Sequence, residues 1–208
     1  MNKTDRENHQ HQSNSILLVE EQFTHHSILK QTLENSGYVI CKHLHGETTL
    51  YEEISKYEPD LLLLNIVQPS QKTLHELAKI HQLAPLNVII FAEKDCPLSM
   101  QASIKAGVSS YIVDKVPADR LNSIISVAQQ RFVEHQALRE ALEQAKTELI
   151  TRKLLEQAKG LLMQQKNISE QQADENLRQM AIDNGQSLAV IAHNVIEVSG
   201  LLQIKIKH

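Results

Sequence analysis

Four consecutive leucines, Leu61 to Leu64, run straight into Asn65. An apolar run of this length without polar alternation fits a strand buried on both faces, the kind that sits in the middle of a parallel sheet. Pro59-Asp60 opens it. Shorter apolar runs follow the same logic at Ile16 to Val19, Tyr38 to Leu44, Asn87 to Phe91 and Val108 to Val113. Helical patterns separate them: about His25 to Asn35, closed by Ser36-Gly37; Glu47 to Tyr57; Lys72 to Leu83; and a stretch ending at Ala106-Gly107. Strands alternating with helices predict an α/β domain with a five-stranded parallel sheet covered on both faces. The functional crevice of such a sheet lies at the carboxyl ends of its strands. That places Glu20, Glu21, Asn65, Ala92 and Asp114 at the crevice.

From Ala118 the pattern becomes helical, with no Gly or Pro before Gly160. Leu121, Ile124, Ala128, His135, Leu138, Leu142, Ala145 and Leu149 recur at three- and four-residue steps, a heptad seam imperfect near Arg131 and Phe132. One long helix is expected here. A dimerising coiled coil is one reading of the seam; a helix packed on its own chain is the other. Three helical segments then occupy residues 151 to 202. The first runs through Leu154 to Met163. Ser169 caps the second, with Gln172 at the reciprocal position of a capping box. Its apolar face is Ala173, Leu177, Met180 and Ala181, and Asn184-Gly185 ends it. Ser187 caps the third, with Leu188, Ile191, Ala192, Val195 and Val198 facing inward. Ala158, Gly160 and Met163 read as close packing.

Composition narrows the function. The 208 residues are 41% hydrophobic but only 3% aromatic, so the cores must be aliphatic. The formal net charge of −4 excludes nucleic-acid binding by bulk charge and leaves only a local basic face. No run approaches the roughly 18 to 20 apolar residues of a membrane span. Cys41 and Cys96 form neither a metal pattern nor a disulfide framework, as in a reducing, cytoplasmic setting. Residues 1–14 are polar and are expected as a disordered tail without a secretory signal. His9 and His11 within it read as solvated side chains, the other reading being a weak metal contact.

Three segments carry a resemblance. ILLVEE (16–21), LLLLNIVQP (61–69) and AGVSSYIVDK (106–115) resemble the first, third and fifth strands of a response-regulator receiver domain, a flavodoxin-like fold, over residues 15–127. Receiver chemistry needs a carboxylate to attack phosphorus, acids to hold magnesium, and a lysine and a hydroxyl to contact the phosphoryl oxygens. Here the acceptor position is Asn65, the hydroxyl position Ala92 and the lysine position Asp114, with Lys115 one residue out of register and so turned to the opposite face. The resemblance therefore implies a degenerate receiver that takes no phosphate. Asn65 is read as a silent loss, or else as a mimic of a fixed signalling state. Glu20 and Glu21 are read as a solvated acidic loop rather than a metal site.

EQAKGLLM (156–163), ISEQQADENLRQMAID (168–183) and SLAVIAHNV (187–195) resemble the ANTAR domain, the RNA-binding output module of transcription antiterminators. Receiver-like domain (15–127), coiled coil (128–152), ANTAR domain (153–202) and a short tail (203–208) together resemble regulators of the AmiR and NasT type, with the FAE turn at Phe91 leaning towards NasT. Such a resemblance implies binding to a leader RNA of paired stem-loops that blocks a terminator hairpin. It also implies control by an inducer-sensing regulatory protein, with nitrate or nitrite as the NasT-type inducer. Asp174 departs from the family pattern, which has an aromatic there, and Asn184-Gly185 replaces a more basic turn.

Residues 147–208 hold seven Lys or Arg and seven Asp or Glu, so RNA must be met by a face. Lys153, Lys159, Lys166 and Arg178 are the expected phosphate contacts. In the absence of aromatics, base readout is expected from Arg178, Gln157, Gln164, Gln165 and backbone groups. No enzymatic activity, cofactor or metal is expected. A DNA-binding helix-turn-helix would want a basic third helix, whereas residues 188–198 hold only His193 and Glu197 as ionisable groups. A protein-interaction module without nucleic acid is the third possibility.

Overall fold

The computed structural model describes residues 15–22, 27–46, 49–113 and 117–205, with side chains placed as far as Ser199. Residues 1–14, Asp114, Lys115, and the first residues of the helix expected from His25 and of that expected from Glu47 lie outside the described residues. The chain divides into two units, 1–135 and 136–208.

In the first unit β1 (Ser15–Glu20), β2 (Val39–His45), β3 (Leu61–Ile66), β4 (Asn87–Ala92) and β5 (Ser110–Val113) pair in parallel in the order β2-β1-β3-β4-β5. The leucine run is the central strand. Leu62 and Leu64 point into one core with Leu17, Val19, Val88 and Ile90. Leu61 and Leu63 point into the other with Ile16, Leu18, Ile89 and Phe91. The first core is closed by α2 (Leu50–Tyr57) and α3 (Gln71–Leu83) through Leu50, Ile54, Leu77 and Ile80. The second is closed by Leu33 of α1 (Ile28–Asn35) and by the next long helix. The N-cap of α1 is Ser27, whose hydroxyl accepts from the N–H of Lys30 at 3.0 Å. The helix α4 (Pro97–Lys105) ends at Gly107, which has φ +93°. A Cβ there would sit 2.3 Å from the His81 ring, so glycine is required both for its backbone and for its lack of a side chain.

Helix α5 (Ala118–Lys166) is 49 residues long and runs unbroken from the sheet into the second unit. The expected first output helix is therefore the end of α5 rather than a separate element. The seam is corrected at its start. Leu121 and Ala128 are buried at 1% and 0% exposure together with Ile125, and Ile124 packs beside them, all against the sheet. Burying a side chain such as Ile125 contributes about 2–3 kcal/mol, so these residues are committed to the receiver core. Leu138, Leu142, Ala145 and Leu149 are exposed.

The second unit packs α5 against α6 (Glu170–Asn184) and α7 (Leu188–Lys205). Ala158, Leu162, Ala173, Leu177, Ala181, Ile191 and Ala192 form its core, and the alanines let the helices approach closely. The capping box at Ser169 and Gln172 is present, Gly185 closes α6 in the left-handed region, and the Val190 N–H donates to Ser187 Oγ at 3.4 Å. Three inward assignments are corrected. Val198 is 56% exposed and Met163 36% exposed, and a Cβ on Gly160 would meet nothing within 4 Å. The helical period carries Met163 and Gly160 past the face that Ala158 and Leu162 bury. Among the described residues no helix is long and apolar enough to cross a membrane.

Candidate functional site

The strand order reverses between β1 and β3, where ligands of such folds bind. Parallel register sets Glu20 beside both Asn65 and His45. Glu20 is 6% exposed. Its Oε1 accepts from Asn65 Nδ2 at 3.0 Å, and its Oε2 meets His43 Nε2 at 2.8 Å. A carboxylate only accepts, so the Asn65 amide must turn its NH2 towards it. The His43 and His45 rings lie 4.2 Å apart. Burial, and then the neighbouring His43, pushes the His45 pKa below its usual 6.5, against the pull of Glu20. Glu21 accepts from the Val67 N–H. Ala92, 2% exposed, offers only a methyl group. Gln68 Nε2 donates to Ser99 Oγ at 2.6 Å and ties the β3–α3 loop to α4. Both Glu20 oxygens and one oxygen of the exposed Glu21 thus have partners within the protein. Asp114 and Lys115, lying outside the described residues, complete the expected set.

On the second unit the expected RNA contacts do not converge. At about 100° per residue, Lys159 and Lys166 share one stripe of α5, while Lys153, Gln157 and Gln164 lie roughly 140° around the helix. Gln165 is exposed but engaged by α7, its Nε2 donating at 3.0 Å to Ser199 Oγ, which is buried. Lys159 has 14% side-chain exposure and binds Glu156 at 2.8 Å and Glu170 at 3.0 Å. Those two hydrogen bonds raise its pKa. Arg178 Nε meets Asp174 at 2.8 Å. Arg152, which the sequence reading passed over, falls one heptad before Lys159 on the same stripe, about 10.5 Å away. It is exposed and makes no ion pair among the described residues. A groove of about 400 Å³ brings Arg152 and Lys159 together with Glu148, Glu156 and Asp174. The seven-residue spacing of Arg152, Lys159 and Lys166 was the available signal for this stripe.

The chain thus joins a parallel sheet of this order, with acids at the end of β1, to a separate three-helix core. The chain belongs to the response regulator receiver domain family, whose match covers residues 16–126, and it carries an ANTAR domain over residues 143–196. It is 26% identical over 188 residues to the transcriptional regulatory protein PdtaR of Mycobacterium tuberculosis, covering 89% of this chain and 90% of that protein. It is 35% identical over 81 residues to the nitrate regulatory protein of Klebsiella oxytoca, covering 39% of this chain and 20% of that one. Among solved structures, a CheY-like receiver domain from Methanospirillum hungatei JF-1 is similar at 24% identity and TM-score 0.48, covering 59% of this chain and 98% of that one.

Proposed function

We propose that this chain is a non-enzymatic, cytoplasmic transcription antitermination regulator that binds leader RNA through its ANTAR domain without being phosphorylated. The observation that carries the reading is the ANTAR match lying over one closed helical core, with exposed cations on the α5 segment of that core. In this reading the RNA is a pair of adjacent stem-loops whose capture prevents a terminator hairpin, the mode of AmiR- and NasT-type regulators. Phosphorylation independence is supported by the residues at the crevice: the Asn65 amide, bonded to Glu20, cannot form an acyl phosphate, and Ala92 has no hydroxyl to contact phosphoryl oxygens. A second copy docks along the exposed stripe of Leu138, Leu142, Ala145 and Leu149, which keeps the heptad spacing after the receiver core ends. With phosphate transfer absent, control falls to an inducer-sensing protein that sequesters the regulator. Support for a nitrate or nitrite inducer comes from the 81-residue similarity to the nitrate regulatory protein, a fifth of that protein's length. The DNA-binding alternative is disfavoured because His193 and Glu197, the ionisable groups in the exposed turns of α7, pair with each other at 3.3 Å.

The test is binding of the full chain to a labelled two-hairpin RNA and to duplex DNA across a salt series. RNA is expected to bind more tightly, with affinity falling as salt rises. Equal affinity for both, or a flat salt response, refutes the reading. Incubation with acetyl phosphate and magnesium is expected to leave the protein unlabelled.

A further inference from the structure

The groove between α5 and α6 is charged on both signs, and the arrangement of those charges is layered. Lys159 is the inner group at 14% side-chain exposure, while its partners Glu156 and Glu170 are outer groups at 59% and 66%. Two of the three Lys159 ammonium protons face carboxylates, so a phosphate must compete with Glu156 and Glu170 for this group. On α6, Asp174 follows Glu170 by one turn and lines the same groove, while spending Nε of Arg178 one turn further on. Arg152 stands on the opposite wall, exposed and outside any ion pair among the described residues.

We propose that this groove seats an RNA phosphodiester strand, with Arg152 as the first contact, and that Glu170 and Asp174 hold Lys159 and Arg178 in the free protein where phosphates take over on binding. The proposal rests on the RNA-binding reading and names its seat. The exchange is cheap at Arg178, whose pair with Asp174 is exposed, and at both cations it replaces a carboxylate by a phosphate, a comparably good acceptor. It also explains how an output segment with equal numbers of acids and bases can take RNA without attracting every polyanion. The condensed counter-ions belong to the RNA, and a cation that brings its displaced carboxylate to the strand neutralises no net phosphate charge, so it adds little to the salt dependence of binding.

That consequence separates the groove from bulk electrostatics. Fluorescence anisotropy of the full chain with a fluorescein-labelled two-hairpin RNA, at several salt concentrations, is the assay. Asp174→Asn, which frees Arg178, and the double variant Glu156→Gln/Glu170→Gln, which removes both partners of Lys159, are each expected to tighten binding by roughly two- to fivefold. Each is also expected to steepen the slope of log affinity against log salt by about 0.7–0.9, one released counter-ion. Arg152→Gln is expected to weaken binding and flatten the slope by a similar amount. The control is Glu175→Gln, an exposed α6 acid bonded to Gln171 and to no cation. It is expected to leave the slope unchanged. Wild-type binding with Asp174→Asn and Glu156→Gln/Glu170→Gln no tighter than Glu175→Gln overturns the groove proposal alone. Weaker binding by Asp174→Asn also overturns it, since Asp174 would then support Arg178 rather than mask it. Failure of the wild type to bind RNA overturns both this proposal and the reading beneath it.

Discussion

Replacing Asn65 by aspartate restores the carboxylate that receivers use, and the structure says what it costs. The Asn65 amide donates at 3.0 Å to Glu20, which is 6% exposed. In Asn65→Asp a donor becomes a second acceptor. Two unit charges 3.0 Å apart repel by about 5–6 kcal/mol at an effective dielectric of about 20. Side-chain rotation and uptake of a shared proton relieve part of this, leaving about 2–4 kcal/mol near pH 7.5. The sign follows from linkage. The pair holds a proton more tightly folded than unfolded, so the loss is small below the ordinary carboxylate range and grows as pH rises through the raised pKa. The chain supplies its own reporter: its four tyrosines, Tyr38, Tyr51, Tyr57 and Tyr111, all lie in the first unit, and it has no tryptophan. Tyrosine-fluorescence melts therefore follow the receiver unit alone. At about 4 °C per kcal/mol, Asn65→Asp is expected to melt about 8–16 °C lower than wild type at pH 7.5 and much closer to it at pH 5. Millimolar magnesium should recover part of the loss, because three acids then face one ion. Equal melting of the two proteins at pH 7.5 without magnesium would refute the claim that the Asn65 amide is what keeps Glu20 satisfied.

The same melts bear on four further points. Ile125→Ala removes a fully buried side chain from the second core and is expected to cost about 2–5 kcal/mol in the tyrosine transition. Leu142→Ala, at a position 55% exposed, should leave that transition unchanged and instead shift sedimentation velocity from dimer to monomer. Asn87 is 2% exposed and neither amide atom has a hydrogen-bond partner, so Asn87→Val should raise the melting point by the equivalent of about 1–2 kcal/mol. Burial and His43 hold the His45 pKa below 6.5, so the unfolded chain takes up this proton first as pH falls. Stability is expected to decline on acidification from pH 6.5 downward, and His45→Gln should flatten that decline in melts between pH 5 and 7.

What could be read from the sequence depended on whether the physical cause was local. The leucine run gave the central strand, because burial on both faces erases alternation. Ser169, Gln172 and Gly185 gave the ends of α6, because capping is settled within a few residues. The start of the seam could not be read the same way. Leu121, Ile124 and Ala128 satisfy a heptad and also the inward face of a helix lying on a sheet. Only the presence of Ile16, Leu18 and Phe91 on the opposing face decides between them. Lys159 failed for a related reason. Its second partner, Glu170, is 11 residues away across the α5–α6 turn, so a cation that looked available from its motif is engaged by a group that only folding brings near. Arg152 was missed because the motif was weighed residue by residue. Its relation to Lys159 is a seven-residue step, visible in the sequence but meaningful only once α5 is known to continue unbroken through both positions. The crevice was legible in composition but not in wiring. An amide at position 65 is visible in the sequence as a group that cannot form an acyl phosphate, whereas the bracket of Asn65 and His43 on Glu20 needs the β2-β1-β3 order to bring three separate strands to one carboxylate. Loss of the acceptor and closure of the acid are thus two distinct changes, and restoring the first by Asn65→Asp reopens the second.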